Sequence, residues 1–181
     1  MSLMRILVLV LGMAAALPTV AQGVEPTQIQ LRRADGALVL DFSARLTLSH
    51  ALEDALQRGV PMYIVAQASV YRSRWYWRDE RVARVSRSWR LSYQPLTATW
   101  RVSLGGLAQT VPTLSEALNT AARFSGWRLA DADRLDPGER YYVEFRYALD
   151  NAQLPQPMQI DLGQDWKLEF ERTLRVEPAT P

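Results

Sequence analysis

The stretch VYRSRWYWRDERVARVSRSWRLSY, residues 70–93, decides the fold because apolar and polar side chains alternate along much of it. Successive side chains of a strand point to opposite faces of a sheet, so the alternation predicts two antiparallel strands joined by a tight loop. In the first strand, one face carries Tyr71, Ser73, Trp75 and Trp77. In the second strand, one face carries Val85, Arg87, Trp89, Leu91 and Tyr93. Most of the arginine and serine side chains fall on the opposite face.

The register of this hairpin follows from matching the two faces. A three-residue loop, Asp79-Glu80-Arg81, places Trp75 opposite Val85 and Tyr71 opposite Trp89. A two-residue loop would instead set aromatic side chains against arginines. Because a slip of one residue moves every side chain to the other face, we expect the three-residue loop.

This register predicts one aromatic face and one Arg/Ser face. We expect the aromatic face to lie in the core, because clustered Trp side chains bury large areas; a platform that stacks bases or glycans is the alternative. The Arg/Ser face is either an ordinary solvated surface or, as the functional hypothesis, a strip that binds carboxylate or phosphate groups. Its candidate binding residues are Arg72, Arg74, Arg78, Arg84 and Arg90. The expected partner is an envelope or membrane protein, or an anionic envelope component.

Turn and cap signals divide the rest of the chain into short strands and two helices. Asp35-Gly36 and Gly105-Gly106 suit the tight turns of hairpins. Ser49 is the predicted N-cap of a first helix, which Gly59 closes. The second helix begins with a capping box at residues 113–116. Later strands are expected at residues 141–147, 158–162 and 166–176, after a polar loop at 131–139 and beside an extended segment at 154–157.

The number of strands and the lack of βαβ alternation set the fold class. We predict a mainly β protein, an antiparallel β-sandwich or partly open barrel with two short α-helices. One such domain accounts for residues 22–181, with its core at about residues 27–176.

The first 21 residues have the pattern of a signal peptide. One positive charge, Arg5, precedes an apolar run at residues 6–17 that is too short to span a bilayer. Small residues then predict cleavage after Ala21, which implies export to the periplasm and no transmembrane span after cleavage. An uncleaved N-terminal anchor is the alternative.

The charge and cysteine content narrow the function. Removing Arg5 from the 21 basic residues leaves 20 against 19 acidic residues, a net charge of +1. This balance gives no support to nucleic-acid binding. The chain contains no Cys and one His, so it lacks thiol nucleophiles and thiolate metal ligands.

No pattern in the sequence requires catalysis. His50 is expected in the first turn of a helix, where it is a surface residue. The carboxylates Glu53 and Asp54 are helix neighbours that point in different directions. Acidic residues at 131–139 loosely resemble a calcium loop, but Leu135 stands where an oxygen ligand is needed. We expect no catalytic residue, no cofactor and no metal, and therefore no enzyme.

An ordered set of short segments resembles a known family. The segments are Gly59-Val60-Pro61, Arg72, Arg74, Trp75, Trp77, Trp89-Arg90-Leu91-Ser92-Tyr93, Leu96, Thr113-Leu114-Ser115-Glu116-Ala117-Leu118, Tyr141, Leu149-Asp150 and Leu154-Pro155-Gln156-Pro157. Together they resemble the bacterial family catalogued as domain of unknown function 4390. The resemblance implies an exported proteobacterial protein with one domain and an association with envelope signalling. It implies no activity, ligand or site residue.

Three hypotheses for the function follow. The first is a non-catalytic periplasmic binding module that recognises a partner through a sheet face or an edge near residues 155–157. The second is a carrier or sensor that holds an amphipathic envelope ligand between the sheets, which requires a large apolar cavity. The third is a hydrolase that uses carboxylates, which requires two acidic side chains with strongly perturbed pKa values across a cleft.

Overall fold

The computed structural model describes residues 23–153 and 167–177. Its strands are β1 Gly23–Ala34, β2 Ala37–Thr47, β3 Met62–Arg72, β4 Glu80–Gln94, β5 Thr99–Leu104, β6 Leu107–Val111, β7 Arg123–Asp131, β8 Tyr141–Leu149 and β9 Glu169–Arg175. The helices are α1 His50–Gln57 and α2 Leu114–Ala121, and short 3-10 turns lie at Ala132–Arg134 and Asn151–Gln153. In this part of the chain no helix is long and apolar enough to cross a membrane.

The strands form two antiparallel sheets. One sheet has the order β1-β2-β7, and the other has the order β6-β5-β4-β3-β8-β9. The sheets pack face to face and do not close into a barrel, so the predicted mainly β sandwich with two helices is confirmed.

The predicted turns and caps lie where the sequence placed them. Asp35 and Gly36 have φ angles of 49° and 67°, which are the left-handed values of a type I′ hairpin turn. The Ser49 hydroxyl accepts a hydrogen bond from the Leu52 amide at 3.3 Å and starts α1. The Thr113 hydroxyl does the same for the Glu116 amide at 3.2 Å and starts α2. Local chemistry alone determines these positions.

Aromatic rings fill the space between the sheets. The Phe42 ring on β2 lies 4.9 Å from Phe145 and 5.1 Å from Tyr147, both on β8. The Phe124 ring on β7 stacks on Trp89 of β4 at 5.4 Å. Because each such ring buries a large area, these contacts join the two sheets into one core.

The three-stranded sheet is fastened by the carboxylate of Asp41. The pairing of β2 and β7 shifts register between Leu40 and Phe42, which leaves the Gly126 amide without a strand partner opposite Asp41. Asp41 Oδ1 accepts hydrogen bonds from the Gly126 amide and the Ser125 hydroxyl, each at 2.6 Å. Its Oδ2 accepts one from Arg32 Nε on β1, also at 2.6 Å.

These bonds favour the charged form of the carboxylate. The hydrogen bond from Arg32, with those from Ser125 and Gly126, lowers the pKa of Asp41 to about 2 against the opposing effect of burial. A single carboxylate on the central strand β2 therefore connects β1, β2 and β7.

The predicted register of the central hairpin is wrong. Trp89 pairs with Ile64, not with Tyr71, and Arg72 at the end of β3 pairs with Glu80. The faces predicted for β4 are correct, since Trp89 is buried and Arg90 exposed. The faces predicted for the preceding strand are reversed, because Val70 is buried while the Tyr71 side chain lies on the outer face.

Two further expectations differ from the structure. Residues 123–131 form strand β7, which the sequence did not predict because bulges interrupt its alternation. The last strand begins at Glu169. The segments expected at residues 1–21, 154–157 and 158–162 lie outside the described residues.

Candidate functional site

The residues predicted to continue the central strands instead form an exposed loop. Residues 73–79, here named the aromatic loop, connect β3 to β4. Trp75, Tyr76 and Trp77 at its tip are 93%, 68% and 73% exposed. The prediction that Trp75 and Trp77 belong to the core is therefore wrong. Three large aromatic side chains in succession therefore face solvent, whereas Trp89, Trp100 and Trp127 are buried.

The loop begins where it does because the strands separate at an irregularity. The pairing of β3 with β4 shifts between Val70 and Tyr71, and Arg72 opposite Glu80 is the last pair. Beyond it, Ser73 donates its amide to the Arg140 carbonyl at 2.8 Å instead of to β4. The chain is thereby directed away from the sheet.

Asp79 holds the two ends of the aromatic loop together. Its Oδ1 accepts a hydrogen bond from the Arg74 amide at 3.0 Å, and its Oδ2 accepts one from the Tyr142 hydroxyl at 2.7 Å. The pKa of Asp79 is lowered, first by the Tyr142 hydroxyl and then by the Arg74 amide. Desolvation, followed by the interaction with Asp79, raises the pKa of Tyr142 to about 12.

A second carboxylate closes the base of the loop. Glu80 accepts hydrogen bonds from the guanidinium groups of Arg72, at 2.7 Å, and Arg74. Arg72 also binds Asp136, at 2.7 Å, in the loop before β8. The hydrogen bond from Arg72 is the main reason that the pKa of Glu80 is lowered. Polar contacts of two arginines and three carboxylates, and not apolar packing, therefore hold the base of the loop.

The tip of the aromatic loop adds ring contacts and positive charge. Trp75 and Tyr76 meet edge to face at a centroid distance of 5.1 Å. Arg78, at the end of the loop, and Arg81, just after it, are exposed, and within the described ranges neither has an acidic partner in ion-pair distance. The loop therefore combines apolar rings with available guanidinium groups.

A groove of about 750 Å³ lies beside the base of the loop. It is lined by Ser73, residues 138–142, Thr173, Arg175 and Val176. Its walls come from the end of β9 and the beginning of β8, with Arg140 and Arg175 among them. The lining thus contains two arginines and one carboxylate, Glu139.

The five arginines predicted to share one face are divided by the structure. Arg72 and Arg74 are already bound to Glu80 at the base of the loop. Arg78 lies in the aromatic loop, whereas Arg84 and Arg90 lie on the exposed face of β4. The Arg84 guanidinium donates to Gln67 Oε1 at 2.7 Å. The residues available to an anion near the loop are therefore Arg78 and residues outside the predicted set.

Sequence analysis did not identify the residues that bind the base of the aromatic loop, because they come from distant segments of the chain. Tyr142 and Asp136 lie more than sixty positions from the groups they bind. A local signal did exist, since Trp75-Tyr76-Trp77 is a run of three rings that no single face of a strand can accommodate.

The residues weighed for metal binding and catalysis do not assemble. His50 is exposed in the first turn of α1, as expected. Over residues 23–153 and 167–177, no three His or acidic side chains converge as a metal site would require. Two of the acidic residues in 131–139 instead form ion pairs, Asp131 with Arg128 and Asp136 with Arg72.

Comparison with known proteins gives a family and nothing closer. No curated protein and no solved structure matches the chain. The model of one family, described as a domain of unknown function (DUF4390), matches residues 21–175. Since the match covers nearly the whole chain, the protein belongs to the DUF4390 family.

Proposed function

We propose that this protein is an exported, non-catalytic binding module of the periplasm that attaches to the anionic surface of an envelope membrane through its aromatic loop. The observation that carries the proposal is the exposure of Trp75, Tyr76 and Trp77 on a loop with a fixed base. The signal-peptide pattern of residues 1–21 supports the compartment. An association with envelope signalling remains an expectation from the family resemblance.

The exposed rings have the chemistry of the membrane interface. Trp and Tyr are enriched at the level of the lipid headgroups, where an apolar ring and a polar N–H or O–H group are accommodated together. A contiguous apolar patch on a soluble protein generally marks an interaction surface. Trp75 and Trp77 would each transfer apolar area from water to the interface, at about 25 cal/mol per Å².

The hydrogen-bonded base of the aromatic loop lowers the entropy cost of binding. Asp79 and Glu80 hold the loop through Tyr142, Arg72 and Arg74, so the rings are presented before binding. Binding then costs less ordering entropy than it would for a flexible segment. A loop without these hydrogen bonds would lose more conformational entropy on binding.

Positive charge beside the rings favours an anionic membrane. Arg78 directly follows the three rings, Arg81 lies just after the loop, and Arg140 and Arg175 line the neighbouring groove. Each arginine near an anionic surface contributes on the order of 1 kcal/mol, and salt weakens that attraction.

The electrostatics support a binding role over a hydrolytic one. A carboxylic acid that donates a proton in glycoside hydrolysis needs a raised pKa. Asp79 in the aromatic loop and Glu80 directly after it both have lowered pKa values, because arginine, tyrosine and amide donors stabilise their charged forms. They act as structural anchors in this proposal.

The carrier hypothesis receives no support from the packing. Phe42, Phe145 and Tyr147 meet across the space in which a ligand would have to lie. A ligand between the sheets would have to displace these contacts.

The test is binding to vesicles of defined composition. Protein produced by export, with its N-terminus verified by mass spectrometry, is sedimented with vesicles of phosphatidylcholine alone or mixed with phosphatidylglycerol. We expect binding to the mixed vesicles and a shift of Trp emission to shorter wavelength. The double variant Trp75→Ser/Trp77→Ser should bind at least roughly tenfold more weakly, a loss of about 1.4 kcal/mol or more.

A matched control is available at the other end of β4. Leu96 in the β4–β5 turn is fully exposed, so Leu96→Ser removes an apolar side chain far from the aromatic loop. This variant should bind like the wild type. Equal binding by the wild type and the Trp double variant, or no binding to anionic vesicles at all, would overturn the proposal.

A further inference from the structure

Strand β6 is a short edge strand that has no charge, proline or bulge to protect its open edge. Its five residues, Leu-Ala-Gln-Thr-Val, include no charged residue and no proline, and its pairing with β5 shows no register shift. Leu107 at its start is 79% exposed. Natural proteins protect exposed edges with charges, prolines or bulges, because an open edge pairs readily with another strand.

The other edges of the two sheets carry these features. Strand β1 contains Pro26 with a register shift beside it. The pairing of β7 with β2 shifts twice, and Gly126 within β7 has a positive φ of 63°. Strand β9 carries the charged residues Glu169, Glu171, Arg172 and Arg175. Strand β6 is thus the exception among the edges in the described residues.

Alternate residues of β6 have backbone N–H and C=O groups that can bond to an added strand. The two-residue turn at Gly105-Gly106 makes Leu104 and Leu107 a directly paired couple. In an antiparallel pair, alternate residues bond to the partner strand, so Ala108 and Thr110 direct their N–H and C=O groups away from β5. An added antiparallel strand forms the most hydrogen bonds when both of these residues are used.

The surface beside β6 carries one acidic and one basic side chain, of which only the basic one extends along both grooves. Grooves of about 360 and 290 Å³ run between β6 and the segment that includes α2. Arg123 lines both grooves and so extends to the one beside Leu107, whereas Glu116 lines the groove that reaches Val111. In the described part of the chain, neither Glu116 nor Arg123 has an ion-pair partner.

We propose that β6 is the interface of a homodimer in which the edge strands of two copies pair antiparallel about Gln109. This register sets Ala108 of one copy opposite Thr110 of the other, so that all outward backbone groups are used. It also brings Arg123 of each copy toward Glu116 of the other, because antiparallel pairing reverses the two ends. The interface is self-complementary, as a two-fold dimer requires. It is independent of the membrane attachment proposed above.

The test uses the central position, where the same residue of both copies meets. Wild-type protein should have twice the monomer mass by light scattering over a dilution series. Gln109→Lys places like charges directly opposite each other and should raise the dissociation constant at least roughly tenfold. Gln109→Glu should do the same.

Mixing the two variants separates a broken interface from a misfolded chain. An equimolar mixture of Gln109→Lys and Gln109→Glu should recover the dimer mass, because the two charges now attract across the axis. Leu96→Lys adds the same charge on an exposed turn and should leave the dimer intact. A monomeric wild type, a dimer unaffected by Gln109→Lys, or a mixture that stays monomeric would overturn the proposal.

Discussion

Replacement of Asp41 by Asn tests whether one carboxylate fastens the three-stranded sheet. The asparagine amide would keep an acceptor for Gly126 and Ser125 but would point a donor group at the Arg32 guanidinium. The lowered pKa, from 3.8 to about 2, corresponds to at most about 2.5 kcal/mol of native-state stabilisation.

Solvent reduces this upper limit. The Asp41 side chain is 13% exposed, but that of Arg32 is 43% exposed, so water screens part of their attraction. We therefore expect Asp41→Asn to lower the free energy of unfolding by about 1 to 1.5 kcal/mol near neutral pH. That loss should move the urea midpoint by roughly 0.5 to 1 M.

The pH dependence gives this prediction its sharpest test. Because the folded-state pKa of Asp41 is below the unfolded value, its stabilisation is present above about pH 4 and is lost as the pH falls toward 2. The difference in free energy of unfolding between wild type and Asp41→Asn, measured in urea, should therefore become smaller over that interval. A free-energy difference that is the same at both ends of the interval, or absent near neutral pH, would refute the reasoning.

Two further predictions concern the core and the aromatic loop. Tyr147→Phe should lower the free energy of unfolding in urea by about 1 kcal/mol, because the buried Tyr147 hydroxyl donates to the Ala121 carbonyl at 3.1 Å. Burial also raises the pKa of Tyr147, so this side chain should not ionise while the protein is folded, and alkaline titration should give the same phenolate absorbance for the folded wild type and the folded variant. A smaller phenolate absorbance in the folded variant would contradict the burial of Tyr147. Glu80→Gln should accelerate trypsin cleavage after Arg74 and Arg78 several-fold with little change in thermal midpoint, because the base of the loop opens locally. Glu171→Gln, which loses a surface pair with Arg146, is the control, and equal cleavage rates in both variants would contradict the role of Glu80.

Short-range chemistry determined the elements that the sequence predicted well. The hairpin turn at Asp35-Gly36 and the caps at Ser49 and Thr113 depend on contacts within a few residues, so their positions follow from residue type. The alternation along β4 was also readable, because a strand with one buried face repeats every two residues.

Tertiary contacts decided where the central hairpin turns. Alternation made residues 73–79 look like strand, but Asp79 binds Tyr142, and Arg72 binds Asp136 and Glu80. These partners lie on β8 and the loop before it, and no local pattern specifies them. Their combined effect removes the loop from the sheet and exposes its rings.

The sequence by itself determined the fold class, the turns, the helix caps and the richness of residues 70–93 in Arg and Trp. Only the tertiary structure decided which of those residues face the core and which face solvent. The physical reason is that β3 and β4 pair in a register that differs from the predicted one by an odd number of residues, since Trp89 lies opposite Ile64 and not Tyr71, and such an offset reverses the faces of a strand. Whether Trp75 and Trp77 are core or surface therefore depends on bonds to residues far away in the chain.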